Sequence, residues 1–167
     1  DTKTGLDSTS VKKQVNKPAQ LPLSYAQQRL WFIDQMEGRS SQYHMPATLS
    51  LQGEVNYQAL QGAFSAVIAK HEVLRTTYHN DQKGHAYQHI EPVVQTFDLV
   101  MHDVSGLAKE EQGEKLDNLQ HEFTEQEFDL SNDIMLRAAL YKLAEYEYQL
   151  TVVMHHIASD GWSANVF

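Results

Sequence analysis

Tyr148-Gln149-Leu150-Thr151-Val152-Val153-Met154-His155-His156-Ile157-Ala158-Ser159-Asp160-Gly161-Trp162-Ser163 joins an apolar run to two adjacent histidines and then to an Asp-Gly pair. Tyr148 to His156 reads as a buried strand, because β-branched and apolar side chains crowd it. Side chains alternate faces along a strand. Leu150, Val152, Met154 and His156 then share one face, and Gln149, Thr151, Val153 and His155 share the other. The two histidines point apart, so they are poorly placed to bind one metal together and are expected to do different jobs. A metal site built from His156 and Asp160 would need this segment to be helical, which the strand-like lead-in opposes. Asp160-Gly161 reads as a turn, where glycine lets a substrate approach backbone amides. A neutral imidazole accepts a proton, and a carboxylate or carbonyl fixes its tautomer. Two readings fit these residues: a working site, or two core or edge histidines beside a solvent turn.

Upstream of this stretch, Ile134 to Leu143 is a second apolar run, and Glu145-Tyr146-Glu147 joins the two as a hairpin. Lys109 to Gln126 is a charged helix with Leu116, Leu119 and Phe123 inward, and Val93 to Met101 reads as a strand. Val73 to His79 is β-branched and aromatic, Asp81 to Gly84 is a turn, and Ala86 to Ile90 returns as its hairpin partner. Leu60, Ala63, Phe64, Val67 and Ile68 recur at helical spacing after an Asn56 cap. His44 to Leu51 alternates as a strand. Ser24 followed by Gln27 fits a capping box, so a helix runs from there to about Glu37 and stops at Gly38. Ala26, Leu30 and Ile33 mark its inner face, and Trp31 and Phe32 broaden it. The pattern is α+β: helices packed on one mixed, mainly antiparallel sheet. Residues 1–20 are polar and aperiodic, and read as a flexible linker or tail ahead of a unit spanning 21–167.

Composition removes several functions. The 167 residues suggest one domain or one lobe of a larger one. A net charge of −9 without a basic block argues against a nucleic-acid partner. The absence of cysteine excludes a disulfide framework, a thiolate zinc site and a cysteine nucleophile. No apolar run approaches a membrane span, and the polar N-terminus lacks a signal-peptide core, so no membrane partner and a cytoplasmic location are expected.

His155-His156-Ile157-Ala158-Ser159-Asp160-Gly161-Trp162-Ser163 resembles the HHxxxDGWS signature of condensation domains in nonribosomal peptide synthetases. Two further stretches match that family in the expected order. Ser24-Tyr25-Ala26-Gln27-Gln28-Arg29-Leu30-Trp31 resembles SxAQxRLW, and His71-Glu72-Val73-Leu74-Arg75-Thr76-Thr77-Tyr78 resembles RHExLRTxF. Phe128-Asp129-Leu130-Ser131, followed by Leu136-Arg137-Ala138, is a looser match. Lys70 stands where Arg is usual, Tyr78 where Phe is usual, and Ile134-Met135 replaces a Pro-Leu pair. The first motif resembles the subtype that joins two L-residues (the LCL type). Gly161-Trp162-Ser163 fits condensation better than epimerisation, and heterocyclisation domains would carry Asp in place of the histidines.

The resemblance implies a chloramphenicol-acetyltransferase-like fold of two lobes around a tunnel, with this chain as the N-terminal lobe. It implies donor and acceptor peptidyl carrier domains that deliver thioesters on phosphopantetheine arms. The C-terminal lobe of the same domain and a neighbouring adenylation domain are further implied partners, and no cofactor is bound directly. The acceptor amine attacks the donor thioester to form an amide. His156 is the candidate general base or positioner, and the Gly161 amide helps stabilise the oxyanion or orient the substrate. Asp160 pairs with an arginine, Arg75 first and Arg137 as rival, while Arg29 anchors the first helix. For each arginine an exposed or rim salt bridge is the alternative. His155 has a packing and hydrogen-bonding role, and Trp31, Phe64 and Trp162 are packing aromatics. The resemblance also implies that an isolated N-terminal lobe does not catalyse condensation. Two alternatives stand beside this reading: a non-catalytic carrier-docking module of the same fold, and a stand-alone CoA-type acyltransferase.

Overall fold

The computed structural model describes residues 17–93 and 96–159. In chain order the elements are β1 (Leu21–Pro22), α1 (Tyr25–Glu37), β2 (His44–Gln52), α2 (Tyr57–Lys70), β3 (Thr76–Asn80), β4 (Ala86–Ile90), β5 (Leu99–Asp103), α3 (Lys109–Glu125), β6 (Leu136–Ala144) and β7 (Glu147–His155). The expected tail lies outside the described residues as far as Asn16. Lys17 pairs with Glu72, and the Ala19 carbonyl lies 3.3 Å from a ring nitrogen of His89.

Local chemistry accounts for the helix ends. The Ser24 hydroxyl accepts from the Gln27 amide at 3.3 Å, while the Gln27 side chain accepts from the Ser24 amide at 2.9 Å. That reciprocal pair satisfies two amides at the start of α1. Gly38 ends the helix at φ +84, a conformation that favours glycine. Asn56 caps α2 through the Ala59 amide at 2.9 Å.

The strands form two sheets rather than the single sheet expected. One has the order β1-β4-β3 and the other β2-β7-β6-β5. The β3–β4 and β6–β7 hairpins form as predicted. The large sheet is completed by β2, which pairs antiparallel with β7 along its whole length, and by β5, which runs parallel to β6. Alternation reveals a strand but not its partner, so these non-local pairings leave no local signature.

Three expected spans shift. Glu72–Arg75 is a 3-10 turn, closed by the Leu74 amide on the His71 carbonyl at 3.0 Å and the Thr76 hydroxyl on the Glu72 carbonyl at 2.8 Å. The strand expected from Val73 therefore begins at Thr76. The strand expected from Val93 begins at Leu99 and continues to Asp103. The last strand ends at His155, and His156 opens a turn. On α1, Trp31 is buried, but Phe32 is 63% exposed, so the inner face is narrower than expected.

Ile68, Leu74, Tyr78, Met135 and Val153 are completely buried and belong to one continuous core. Burial of each such side chain contributes roughly 1.5–3 kcal/mol. Helix α3 is held to the large sheet by Gln120, whose amide donates to Gln149 at 2.8 Å and to Thr151 at 3.3 Å. Gln149, Thr151 and His155 alternate onto one face of β7, so α3 covers the face that carries His155. No helix among the described residues is long and apolar enough to cross a membrane.

Candidate functional site

The register of β2 against β7 sets His44 opposite His155. One residue further out, the His156 amide donates to the Tyr43 carbonyl at 2.8 Å. Tyr43-His44 thus faces His155-His156 where the two strands meet the turn. A backbone relay ties the second motif to the same place. The Met135 amide donates to the Leu74 carbonyl at 2.7 Å, and the His155 amide donates to the Met135 carbonyl at 3.2 Å. Met135 is fully buried between them.

His155 is 5% exposed. Its Nδ1 accepts from the Ile157 amide at 3.1 Å, so in the neutral ring the proton is on Nε2. The Ala158 amide returns to the His155 carbonyl at 3.0 Å. Together these bonds close the turn at 156–158. The His155 ring meets Phe128 edge-on, with ring centres 5.8 Å apart, and His44 at 6.0 Å. Burial pushes its imidazole down to about 4, and nearby His44 and His156 act in the same direction. The ring is thus packed and hydrogen-bonded inside the core.

His156 is exposed, and its ring makes no hydrogen bond with any described residue. It lines an open cleft of about 510 Å³. Ser24, Gln27 and Leu30 of the first motif and Val73 of the second line the same cleft. Four segments far apart in sequence therefore converge on one solvent-accessible imidazole: the start of α1, Tyr43 before β2, the turn after α2, and the turn after β7. The two histidines diverge, one into the core and one into the cleft, and it is the turn opening at His156, not a strand reaching it, that parts them.

Among the arginines, Arg75 is buried, and its guanidinium donates to the Glu91 carbonyl and lies 3.8 Å from the Glu72 carboxylate. Its Nε is buried without a partner among the described residues. Arg137 lies over the Phe128 ring at 4.0 Å and donates to the Gln126 and Glu127 carbonyls just past α3. The negative end of the helix dipole accounts for that placement. Arg29 is exposed, lines the cleft, and makes no hydrogen bond or ion pair with any described residue. It does not anchor α1. That task falls to Trp31, which donates to Asn80 at 3.2 Å, and to Gln27, which donates to the Tyr78 hydroxyl at 3.3 Å. Asp160, Gly161 and Trp162 lie outside the described residues.

Phe128 brings the loosest motif into the site. It follows α3 and touches His44, His155 and Arg137. The next residue, Asp129, locks the loop by accepting from the Ser131 amide and the Asn132 side chain, each at 2.9 Å, and from Arg39 at 2.5 Å. Tyr43 and His44 are site-forming residues that no sequence motif marked. Only strand pairing places them opposite the two histidines. Among the described residues no group of three His, Asp or Glu side chains is arranged to hold a metal ion.

The mixed sheets, the helices and the cleft at the histidine turn define an α+β fold shared with solved condensation domains. The family described as Condensation domain matches residues 17–167. The chain belongs to the condensation-domain family of nonribosomal peptide synthetases. It is 38% identical over 147 residues to chondramide synthase cmdD of Chondromyces crocatus, covering 88% of this chain and 4% of that protein. It is 42% identical over 146 residues to cyclosporin synthetase simA of Tolypocladium inflatum, covering 87% of this chain and 1% of that protein. The starter condensation domain of rhizomide synthetase RzmA superposes with a TM-score of 0.78 at 20% identity, covering 89% of this chain and 35% of that one. The X-domain solved in complex with OxyB from teicoplanin biosynthesis gives a TM-score of 0.75 at 32% identity, covering 92% of this chain and 32% of that one. The chain thus spans a few per cent of the curated relatives and about a third of the solved chains.

Proposed function

We propose that this chain supplies the histidine-bearing half of a site that forms an amide between two carrier-bound thioesters. The observation that carries the reading is the exposure of His156 in a cleft lined by residues of the first two motifs. The acceptor amine attacks the donor thioester carbon, the C–S bond breaks, and the departing sulfur leaves as a thiol. The nitrogen sheds one proton as the amide forms, and His156 accepts that proton or holds the amine in line for attack. The Gly161 amide stabilises the oxyanion or orients the carbonyl.

His155 serves this site indirectly, through the bond that holds the turn. Asp160 pairs with Arg75, a reading supported by that arginine's buried Nε, which has no partner among the described residues. Arg137 has the same feature, but its stack on Phe128 and its helix-end carbonyls already account for its position. The partners are donor and acceptor carrier domains bearing phosphopantetheine, the C-terminal lobe of the domain and an adjacent adenylation domain. The cleft is open to solvent, as an arm arriving from outside requires. The form of the first motif supports the subtype that joins two L-residues, and the lobe alone is inactive.

The test is His156→Ala in the complete synthetase with both carriers loaded. Amide formation is expected to fall roughly 10²- to 10⁴-fold, the usual contribution of a positioned acid–base group. Unchanged condensation would remove His156 from the mechanism. A second reading, a docking module of the same fold, is favoured by one comparison: the similar X-domain was solved with OxyB bound. Under that reading the alanine variant binds its partner as before and the wild type forms no amide.

A further inference from the structure

We infer that His44 is a positioning residue for His156, acting through His155 and the turn between them. The inference rests on the condensation reading for its activity arm only. Three observations carry it. First, β-sheet register sets His44 directly across from His155, and Tyr43 receives the His156 amide, so this end of β2 is the floor of the histidine turn. Second, the His44 ring is fixed at one nitrogen. Its Nδ1 lies 2.7 Å from the Thr124 carbonyl in the last turn of α3, and a carbonyl only accepts, so Nδ1 carries a proton. In the neutral ring the lone pair is then on Nε2, which is buried without a partner among the described residues. Third, the ring is wedged between aromatic neighbours, edge-on to Phe128 at 5.1 Å and to His155 at 6.0 Å.

These contacts restrict His155 from one side. Its Nδ1 must stay an acceptor for the Ile157 amide, because that bond and the Ala158 return bond close the turn that presents His156. If the bond from His44 to Thr124 were lost, the end of α3 and the start of β2 would no longer be tied beneath the turn, so His155 could rotate and the His156 ring would leave the cleft. His44 touches no reacting atom; it holds the residue that holds the turn. Buried polar groups fixed in this way specify one side-chain arrangement over its alternatives.

The test compares His44→Phe, His44→Asn and His44→Gln in the complete condensation domain. Phenylalanine keeps the ring contacts and removes the donor to Thr124. Asparagine places an amide N–H the same number of bonds from Cα as Nδ1, and glutamine places it one bond further. With loaded carriers, His44→Phe and His44→Gln are expected to lower kcat roughly tenfold with KM unchanged, the scale of one buried hydrogen bond left half-made. His44→Asn is expected to restore kcat to within about threefold of wild type. In 15N-histidine-labelled protein, His155 is expected as the Nε2–H tautomer in the wild type and in His44→Asn, and as a mixture in His44→Phe and His44→Gln. Equal kcat for the asparagine and glutamine variants would overturn the inference, and that comparison stands even if His44→Phe fails to fold. A pure Nε2–H tautomer in every variant would overturn it too. If the wild type forms no amide, the condensation reading fails on its own, and the tautomer comparison still decides the role of His44.

Discussion

Lowering the pH below neutrality should destabilise this protein through His155. Its imidazole falls from the ordinary 6.5 to about 4 in the folded chain, chiefly because burial penalises the charged ring. Above 6.5 neither state holds the extra proton, and the full stability is present. As pH drops below 6.5 the unfolded chain takes up a proton that the folded chain refuses, so stability declines until about pH 4. At about 1.36 kcal/mol per pH unit, the gap of roughly 2.5 units bounds the loss at about 3.4 kcal/mol. At about pH 5 the unfolded state is almost fully protonated and the folded state mostly neutral, which gives a loss of about 2 kcal/mol relative to pH 7.5. With 5% of the residue exposed, solvent screening reduces this little. The assay is urea unfolding at both pH values, in the wild type and in His155→Asn. Asparagine can still accept from Ile157 but does not titrate. The wild type should lose about 2 kcal/mol more than the variant. Equal losses would refute the argument that the buried ring stays neutral.

Phe128→Ala should cost about 3–5 kcal/mol in a urea titration, since it removes a buried ring against His44, His155 and Arg137. It should also flatten the acid dependence, because water reaching His155 weakens the penalty on its charged form. Ser24→Ala should cost about 1 kcal/mol by breaking the capping box of α1, read as a lower urea midpoint at unchanged slope.

The elements that local chemistry dictates were legible in the sequence. Ser24, Gln27 and Gly38 bound α1, Asn56 starts α2, and the turn at Asp81–Gly84 closes a hairpin. The contrast between His155 and His156 was expected from strand alternation, although His156 is not a strand residue. The strand was read one residue too long, yet the turn that begins at His156 still leaves it on the open side. Strand pairing was hidden. Nothing near His44 announces that β7 will lie beside it, so neither Tyr43 nor His44 could be assigned to the site. The 3-10 turn at Glu72–Arg75 was hidden too, because its β-branched and charged residues fit a strand and only the His71 and Thr76 hydrogen bonds decide otherwise.

The pairing of β2 with β7 also orders events in time. Thr48 and Thr151, whose hydroxyls meet at 3.1 Å across this pair, are 103 residues apart in the chain. During synthesis β2 leaves the ribosome long before its partner exists, at roughly 5–20 residues per second. For those seconds its backbone donors and acceptors stay open along nine residues, with the hazard of pairing to another nascent chain. Pro46 removes one donor from that exposed ladder, and the polar Thr48, Ser50 and Gln52 make it a less sticky template. The histidine turn can be built only after this wait, so the cleft takes shape later than the strand that floors it.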